Sequence, residues 1–167
     1  MSPKISAHIL VLGLGNILLQ DEGVGVHIVR KLENDYRFDP HIDIVDGGTM
    51  GMDLIPYFDH RKRVIIIDVV NFGKMPGYVQ KLNDHEILTT INTKLSEHQS
   101  GLRDVLSTLK LMEIEPDKII LFGIQPKSVD MGLKSSSDLQ PAIEKVLTLI
   151  LNTLNNWGVN YQLKHNN

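Results

Sequence analysis

Three residues of this sequence combine reactive side chains with positions from which a site could be built: Glu22, Asp68 and His98. Asp68 lies within an apolar run, where a carboxylate loses several kcal/mol of solvation unless it is hydrogen-bonded, protonated or bound to a cation. Glu22 follows a glycine-rich turn, and His98 is predicted to lie in a loop before a helix. The two carboxylates also have structural explanations. Asp68 can accept amide hydrogen bonds, and an acidic residue such as Glu22 stabilises a helix N-terminus.

Two carboxylates and one imidazole form a ligand set suited to zinc, nickel or another borderline divalent ion. Three protein ligands leave positions open that water or a substrate group can fill. The absence of cysteine excludes thiolate ligands and a cysteine nucleophile. No G-x-S-x-G or His-Glu-x-x-His motif supports a serine hydrolase or a zincin. His85 and Glu86 form a weaker candidate pair.

The glycine-rich turn at residues 13–16 also allows a dinucleotide-binding interpretation, because such glycines let backbone amides approach a pyrophosphate. Asp46 could then bind a ribose. The third glycine of the motif should stand at position 18, which is Leu18. In addition, Asp21 and Glu22 would repel a phosphate at the following helix. This interpretation is therefore the less favoured alternative.

The apolar pattern predicts alternating strands and helices along the chain. The predicted strands are residues 8–12, 42–46, 64–70, 77–82 and 119–124, and the predicted helices are residues 23–32, 52–58, 101–112 and 138–157. Residues 64–70 should form a central strand, whereas the alternation of 77–82 indicates a strand near a sheet edge, antiparallel to its neighbour. Ser100 is the predicted N-cap of one helix, and Pro141 suits the first turn of another.

This alternation predicts an α/β fold, specifically a three-layer α/β/α sandwich with a mostly parallel twisted sheet of about five strands. Ligands of such folds bind at the carboxyl edge of the sheet. A chain of 167 residues can bury roughly 70% of its unfolded surface, so residues 1–167 are expected to form a single domain.

Composition excludes two classes of partner. Seventeen basic and twenty acidic residues give a net charge of -3, without the basic surface that nucleic-acid binding requires. The longest apolar stretch, residues 9–19, is too short and too interrupted to span a bilayer, so no membrane partner is expected. Neither does the N-terminus show a signal-peptide pattern. We therefore expect a cytoplasmic location.

Four segments together resemble the nickel-iron hydrogenase maturation proteases, over nearly the full length of the chain. They are GLGNILLQDEGVG at residues 13–25, DGGTMG at 46–51, Ile67-Asp68 at a strand end, and SEHQ at 96–99. The resemblance implies that Glu22, Asp68 and His98 are the metal ligands and catalytic residues. It also places Asp46, with Gly47 and Gly48, near the cleft as a possible substrate contact.

The same resemblance implies an endopeptidase that removes the C-terminal extension of a hydrogenase large-subunit precursor after nickel insertion. The nickel is then carried by the substrate, while zinc or cadmium can occupy the site of the isolated protein. A monomer is expected, with partner choice in loops 71–76 and 126–137. A nickel-binding maturation chaperone without hydrolysis would need the same ligands and stays an alternative. Nickel could polarise the scissile carbonyl or activate a water, and the sequence does not choose.

Overall fold

The structure, a computed structural model, is built around a sheet of buried apolar strands. It describes residues 7–93 and 97–164, with side chains described for 7–91 and 101–164. The strands in this part of the chain are β1 (Ile9–Leu14), β2 (Tyr36–Asp39), β3 (Asp43–Gly48), β4 (Arg63–Val69), β5 (Val79–Asn83), β6 (Lys118–Ile124) and β7 (Asn160–Leu163). Five of them form one sheet in the order β3-β1-β4-β6-β5.

The sheet is parallel except at one edge. β1 pairs in parallel with β3 and β4, and β4 pairs in parallel with β6, whereas β5 runs antiparallel to β6. Both the central position of β4 and the antiparallel edge strand confirm the sequence predictions. A separate two-stranded sheet, in which β2 pairs antiparallel with β7, was not predicted.

Helices cover both faces of the sheet. They are α1 (Val24–Asp35), α2 (Ile55–Phe58), α3 (His85–Thr93), α4 (Glu97–Leu111) and α5 (Gln140–Asn156). One face packs against α1 and α5 through residues such as Ile65 and Ile67, and the other packs against α2, α3 and α4 through Val64 and Ile66. This arrangement confirms the predicted three-layer α/β/α sandwich.

The helices differ from the prediction in two respects, the start of α4 and the presence of α3. α4 begins at Glu97, so Ser100 lies inside the helix and its prediction as the N-cap is wrong. An acidic residue such as Glu97 is stabilised at the positive end of a helix, which favours the earlier start. α3 was not predicted at all. Pro141 does stand in the first turn of α5, as expected.

No helix among residues 7–93 and 97–164 combines the length and the apolar composition that crossing a bilayer requires.

Candidate functional site

The parallel strands β1, β3, β4 and β6 end at one edge of the sheet, which we call the carboxyl edge. The segments that follow them are residues 15–23, 49–54, 70–78 and 125–136. Side chains from these segments can meet even though they lie far apart in sequence, because parallel strands bring their ends together. A candidate site residue must therefore lie at this edge if it is to act together with the others.

Asp68 lies at the end of the central strand β4 and is only 3% exposed. One carboxylate oxygen, Oδ1, accepts a hydrogen bond of 2.8 Å from the Val69 N–H. Burial raises the pKa of Asp68 to about 7, against the smaller opposing effect of that hydrogen bond. The carboxyl group is thus held where loss of its proton is costly unless a cation lies nearby.

Side-chain alternation along β4 shows which face Asp68 occupies. Ile65 and Ile67 pack with α1 and α5, whereas Val64, Ile66 and Val70 pack with α2, α3 and α4. Because successive side chains of a strand alternate between faces, Asp68 lies on the second face. This is the face covered by α4, the helix that carries His98.

Glu22 lies in a short 3-10 turn, Gln20–Gly23, between β1 and α1, and its side chain is buried. The turn contacts β4 directly. Three residues later, a Cβ built on Gly25 would lie 2.4 Å from the Ile67 carbonyl oxygen, next to Asp68. The backbones that carry Glu22 and Asp68 are therefore neighbours at the carboxyl edge, as the sequence predicted.

The glycines of the first turn are explained by close packing within the protein. A Cβ on Gly13 would lie 2.3 Å from the Gly25 carbonyl oxygen, and one on Gly15 would lie 1.7 Å from the Glu22 carbonyl oxygen. Gly15 also has a φ of +128°, which favours glycine. The space beside both glycines is thus filled by α1 and the turn before it. This packing argues against their use as a pyrophosphate cradle.

His98 lies in the first turn of α4 and not in a loop, and its side chain is outside the described residues. The start of α4 nevertheless has a definite position. A Cβ on Gly101 would lie 3.7 Å from the Cα of Gly51, which follows β3 at the carboxyl edge. The helix that carries His98 therefore begins at the same edge as Glu22 and Asp68.

Asp46, Gly47 and Gly48 form the end of β3. The exposed Asp46 carboxylate is paired with Arg30 of α1, at 2.7 Å between Oδ2 and the guanidinium Nη2, and its Oδ1 accepts the Gly48 N–H. Gly48 in turn accepts a 3.0 Å hydrogen bond from the Gly15 N–H through its carbonyl oxygen. The segment reaches the carboxyl edge, but Asp46 itself faces α1.

The weaker candidate pair, His85 and Glu86, lies at the opposite edge. β5 is antiparallel, so the end from which α3 starts lies beside the beginning of β6. Asp84 accepts the Ile119 N–H at that point through Oδ1, at 2.8 Å. His85 is therefore separated from Asp68 by the length of the sheet, and the pair does not belong to the candidate site.

Gln125 and Asp21 are buried polar residues that hydrogen-bond to the loops of the carboxyl edge. Neither was predicted to be a site residue from the sequence. Gln125 accepts the Phe72 and Lys74 N–H groups through Oε1, at 2.7 and 3.2 Å. Asp21 accepts hydrogen bonds from the loop that follows β6. The partners are separated by about fifty to more than a hundred positions in the chain, so no local sequence pattern identifies them.

Among the residues with described side chains, no group of three metal-ligating side chains is present. The described side chains include those of Glu22 and Asp68 but not that of His98. The donor types, two buried carboxylates and an imidazole on a helix that begins at the same edge, fit a divalent cation of borderline softness.

Comparison with known proteins places this geometry in a family. The family model described as hydrogenase maturation protease matches residues 26–153. The chain is 40% identical over 152 residues to the hydrogenase 2 maturation protease of Escherichia coli, covering 90% of this chain and 93% of that protein. It is 34% identical over 161 residues to the hydrogenase expression/formation protein HupD of Rhizobium leguminosarum, covering 95% and 80%.

A solved structure agrees with these sequence matches. The hydrogenase maturating endopeptidase HybD from Escherichia coli superposes with a TM-score of 0.89 at 38% identity, covering 95% of this chain and 98% of that one. The chain therefore shares its fold with that endopeptidase over nearly its whole length. The chain belongs to the hydrogenase maturation protease family and is an endopeptidase.

Proposed function

We propose that this endopeptidase removes the C-terminal extension of a nickel-iron hydrogenase large-subunit precursor after nickel has been inserted. In this proposal Glu22, Asp68 and His98 bind the nickel that the precursor carries. The supporting observation is Asp68, a carboxyl group that is 3% exposed at the end of the central strand, with its pKa raised to about 7 by burial. A cation delivered by the substrate would offset the cost of ionising it.

The chemistry is hydrolysis of one peptide bond. Water adds to the scissile carbonyl carbon, the C–N bond breaks, and the products are a new carboxylate and a free amine. The substrate's nickel would supply Lewis acidity to the carbonyl oxygen or to the water. A carboxylate of the site, Glu22 or Asp68, can accept the water proton and return it to the leaving nitrogen.

Exposed apolar side chains on the carboxyl-edge loops support a protein substrate. Met75 on the β4–β5 loop is 80% exposed, and Met131 and Leu133 on the β6–α5 loop are 86% and 69% exposed. These loops are the two in which the sequence predicted partner choice. We propose that the precursor packs against them, with Asp46, Gly47 and Gly48 as a further contact. The cytoplasmic location, the single domain and the monomeric state stay predictions.

The test is a cleavage assay with purified precursor in nickel-loaded and nickel-free forms, read by mass spectrometry. The expected result is loss of the C-terminal extension from the nickel-loaded form only. An intact nickel-loaded precursor would contradict the peptidase proposal and favour a chaperone that binds nickel without hydrolysis. Equal cleavage of both forms would contradict the nickel requirement.

A further inference from the structure

The loop that joins β6 to α5 is anchored on the side chain of Asp21, which is 0% exposed. Oδ2 of Asp21 accepts the N–H groups of Lys127 and Ser128 and the hydroxyl of Ser136, each at 2.9 Å. Oδ1 accepts the Ser136 N–H at 2.5 Å. Four donors from one loop thus converge on a single carboxylate.

Backbone hydrogen bonds join the same two segments. The Gln20 N–H donates to the Gly132 carbonyl and the Gly132 N–H donates to the Leu18 carbonyl, both at 2.8 Å. The Asp21 N–H donates to the Ser128 carbonyl at 3.1 Å. A Cβ on Gly132 would lie 2.9 Å from Cγ of Gln20, so the Gln20 side chain packs directly over this glycine. The contact is continuous along residues 18–21.

The turn that carries Glu22 is short. It is a four-residue 3-10 turn without a side-chain hydrogen bond at its N-cap, and Gln20 holds a φ of +46°. Such short turns have poorer hydrogen-bond geometry than an α-helix. Because Asp21 directly precedes Glu22, any displacement of Asp21 from its donors moves the Glu22 backbone as well.

We propose that Asp21 is a positioning residue, which fixes the orientation of Glu22 by locking its turn onto the β6–α5 loop. Asp21 does not reach the substrate, because its carboxylate is enclosed by its four donors. This inference rests on the proposed function of Glu22 as a ligand at the site. It adds that the geometry of this ligand depends on residues 127–136, more than a hundred positions away.

The test compares Asp21→Asn with a pair of serine variants in the full chain. Asparagine keeps the size of the side chain but replaces one acceptor oxygen with an amide group that faces N–H donors. Ser136→Ala removes one donor to Asp21. Ser107→Ala is the matched control, since it is the same substitution at an exposed position of α4, outside the donors of Asp21 and outside both docking loops.

The readouts are kcat and KM per folded molecule with nickel-loaded precursor, and hydrogen exchange at the amides of residues 127, 128 and 136. Misplacing a reactive group by about 1 Å can lower a rate about 100-fold, so we expect kcat of Asp21→Asn to fall at least about tenfold. Ser136→Ala should lose about threefold, as expected for a weakened network. Ser107→Ala should match the wild type. Amide exchange should become faster in residues 127–136 and at Gln20 and Asp21, whose N–H groups donate to that loop.

A role in folding alone would lower the folded fraction but leave kcat per folded molecule unchanged, and that result would overturn the inference. Equal kcat values for Ser136→Ala and Ser107→Ala would also overturn it, even if Asp21→Asn did not fold. The wild type in the same assay separates the two hypotheses. An inactive wild type contradicts the proposed function, whereas an active wild type with a fully active Asp21→Asn contradicts only the positioning role.

Discussion

At the scale of single residues, the candidate site contains a carboxyl group that is shielded from water. Asp68 is buried at the end of β4, with its pKa raised from 3.8 to about 7. The native state therefore holds the Asp68 proton more tightly than the unfolded chain does. This destabilising feature is what we expect of a group that awaits a cation.

The raised pKa of Asp68 predicts how stability depends on pH. Below pH 3.8 the group is protonated in both states and carries no penalty. As pH rises towards 7, the unfolded chain releases the proton first, so the free energy of unfolding falls. The loss should reach a few kcal/mol, because one pKa unit corresponds to about 1.4 kcal/mol.

Asp68→Asn cannot ionise and should escape this loss. In urea unfolding with a chelator present, the variant should gain stability relative to the wild type between pH 4 and pH 8. Other titrating groups contribute equally to both proteins, so they do not affect the difference in their free energies of unfolding. A difference that does not change with pH would contradict the assigned burial penalty.

His98 gives a second prediction at this scale. His98→Ala should abolish processing of the precursor while leaving the melting temperature within a few degrees of the wild type, because it removes a ligand at an edge. His85→Ala is the matched control, since His85 lies at the opposite edge of the sheet. Normal processing by His98→Ala, measured by mass spectrometry, would refute the assignment of this ligand.

At the scale of elements, close packing of α1 against β1 and β4 sets the position of Glu22. The glycines at positions 13, 15 and 25 allow the helix backbone to approach the strand backbones without intervening side chains. The turn before α1 is thereby brought against the end of β4. The contacts that pack α1 against β1 and β4 therefore also set the position of the Glu22 turn at the carboxyl edge.

This packing predicts that Gly13→Ala is destabilising. Its Cβ would lie 2.3 Å from the Gly25 carbonyl oxygen and 2.6 Å from Val29 Cγ2, so α1 must shift. We expect a loss of roughly 1–3 kcal/mol in the free energy of unfolding, with reduced cleavage activity. Gly101→Ala in α4 is the control, because its Cβ would make only an ordinary van der Waals contact, 3.7 Å from the Gly51 Cα. Chemical denaturation of both variants should separate them, and equal stabilities would contradict this role for Gly13.

The elements that the sequence predicted correctly have strong local signals. β4 and β6 are nearly continuous β-branched and apolar runs, and such runs form buried parallel strands. The pairing of β2 with β7 joins segments more than 120 positions apart, and both strands are short and partly exposed. No local sequence pattern predicts a pairing between strands so far apart in the chain.

The site shows the same division. The positions of two candidate residues at the carboxyl edge could be predicted, that of Asp68 because it ends an apolar strand and that of Glu22 because it follows a glycine turn above β1. Asp21 has an equally buried carboxylate, but its donors come from residues 127–136. In the sequence it looks like an ordinary acidic residue in the first turn of a helix.

At the scale of the whole molecule, the exposed apolar side chains on the loops after β4 and β6 offer a contact surface beside the site. Met75, Met131 and Leu133 leave apolar area in water that a protein substrate would cover. A precursor bound there would place its C-terminal segment near the ends of β1 and β4. Docking and cleavage would then use one edge of the fold.

Leu133→Asp should therefore weaken precursor binding. Removing a well-packed contact and adding a charge should raise KM about 5-fold to 10-fold with little change in kcat. Leu111→Asp is the control, since Leu111 is 85% exposed but lies at the far end of α4, about 22 Å from the start of that helix. The same KM for both variants would show that the β6–α5 loop is not part of the docking surface.

The most direct measurement concerns where the nickel must be. Enzyme incubated with nickel and then freed of unbound ion is given nickel-free precursor, while metal-free enzyme is given nickel-loaded precursor. We predict cleavage only in the second reaction, because in our proposal Glu22, Asp68 and His98 bind a metal that the substrate carries. Cleavage of nickel-free precursor by the nickel-treated enzyme would contradict this account and make the metal a resident cofactor of the protease.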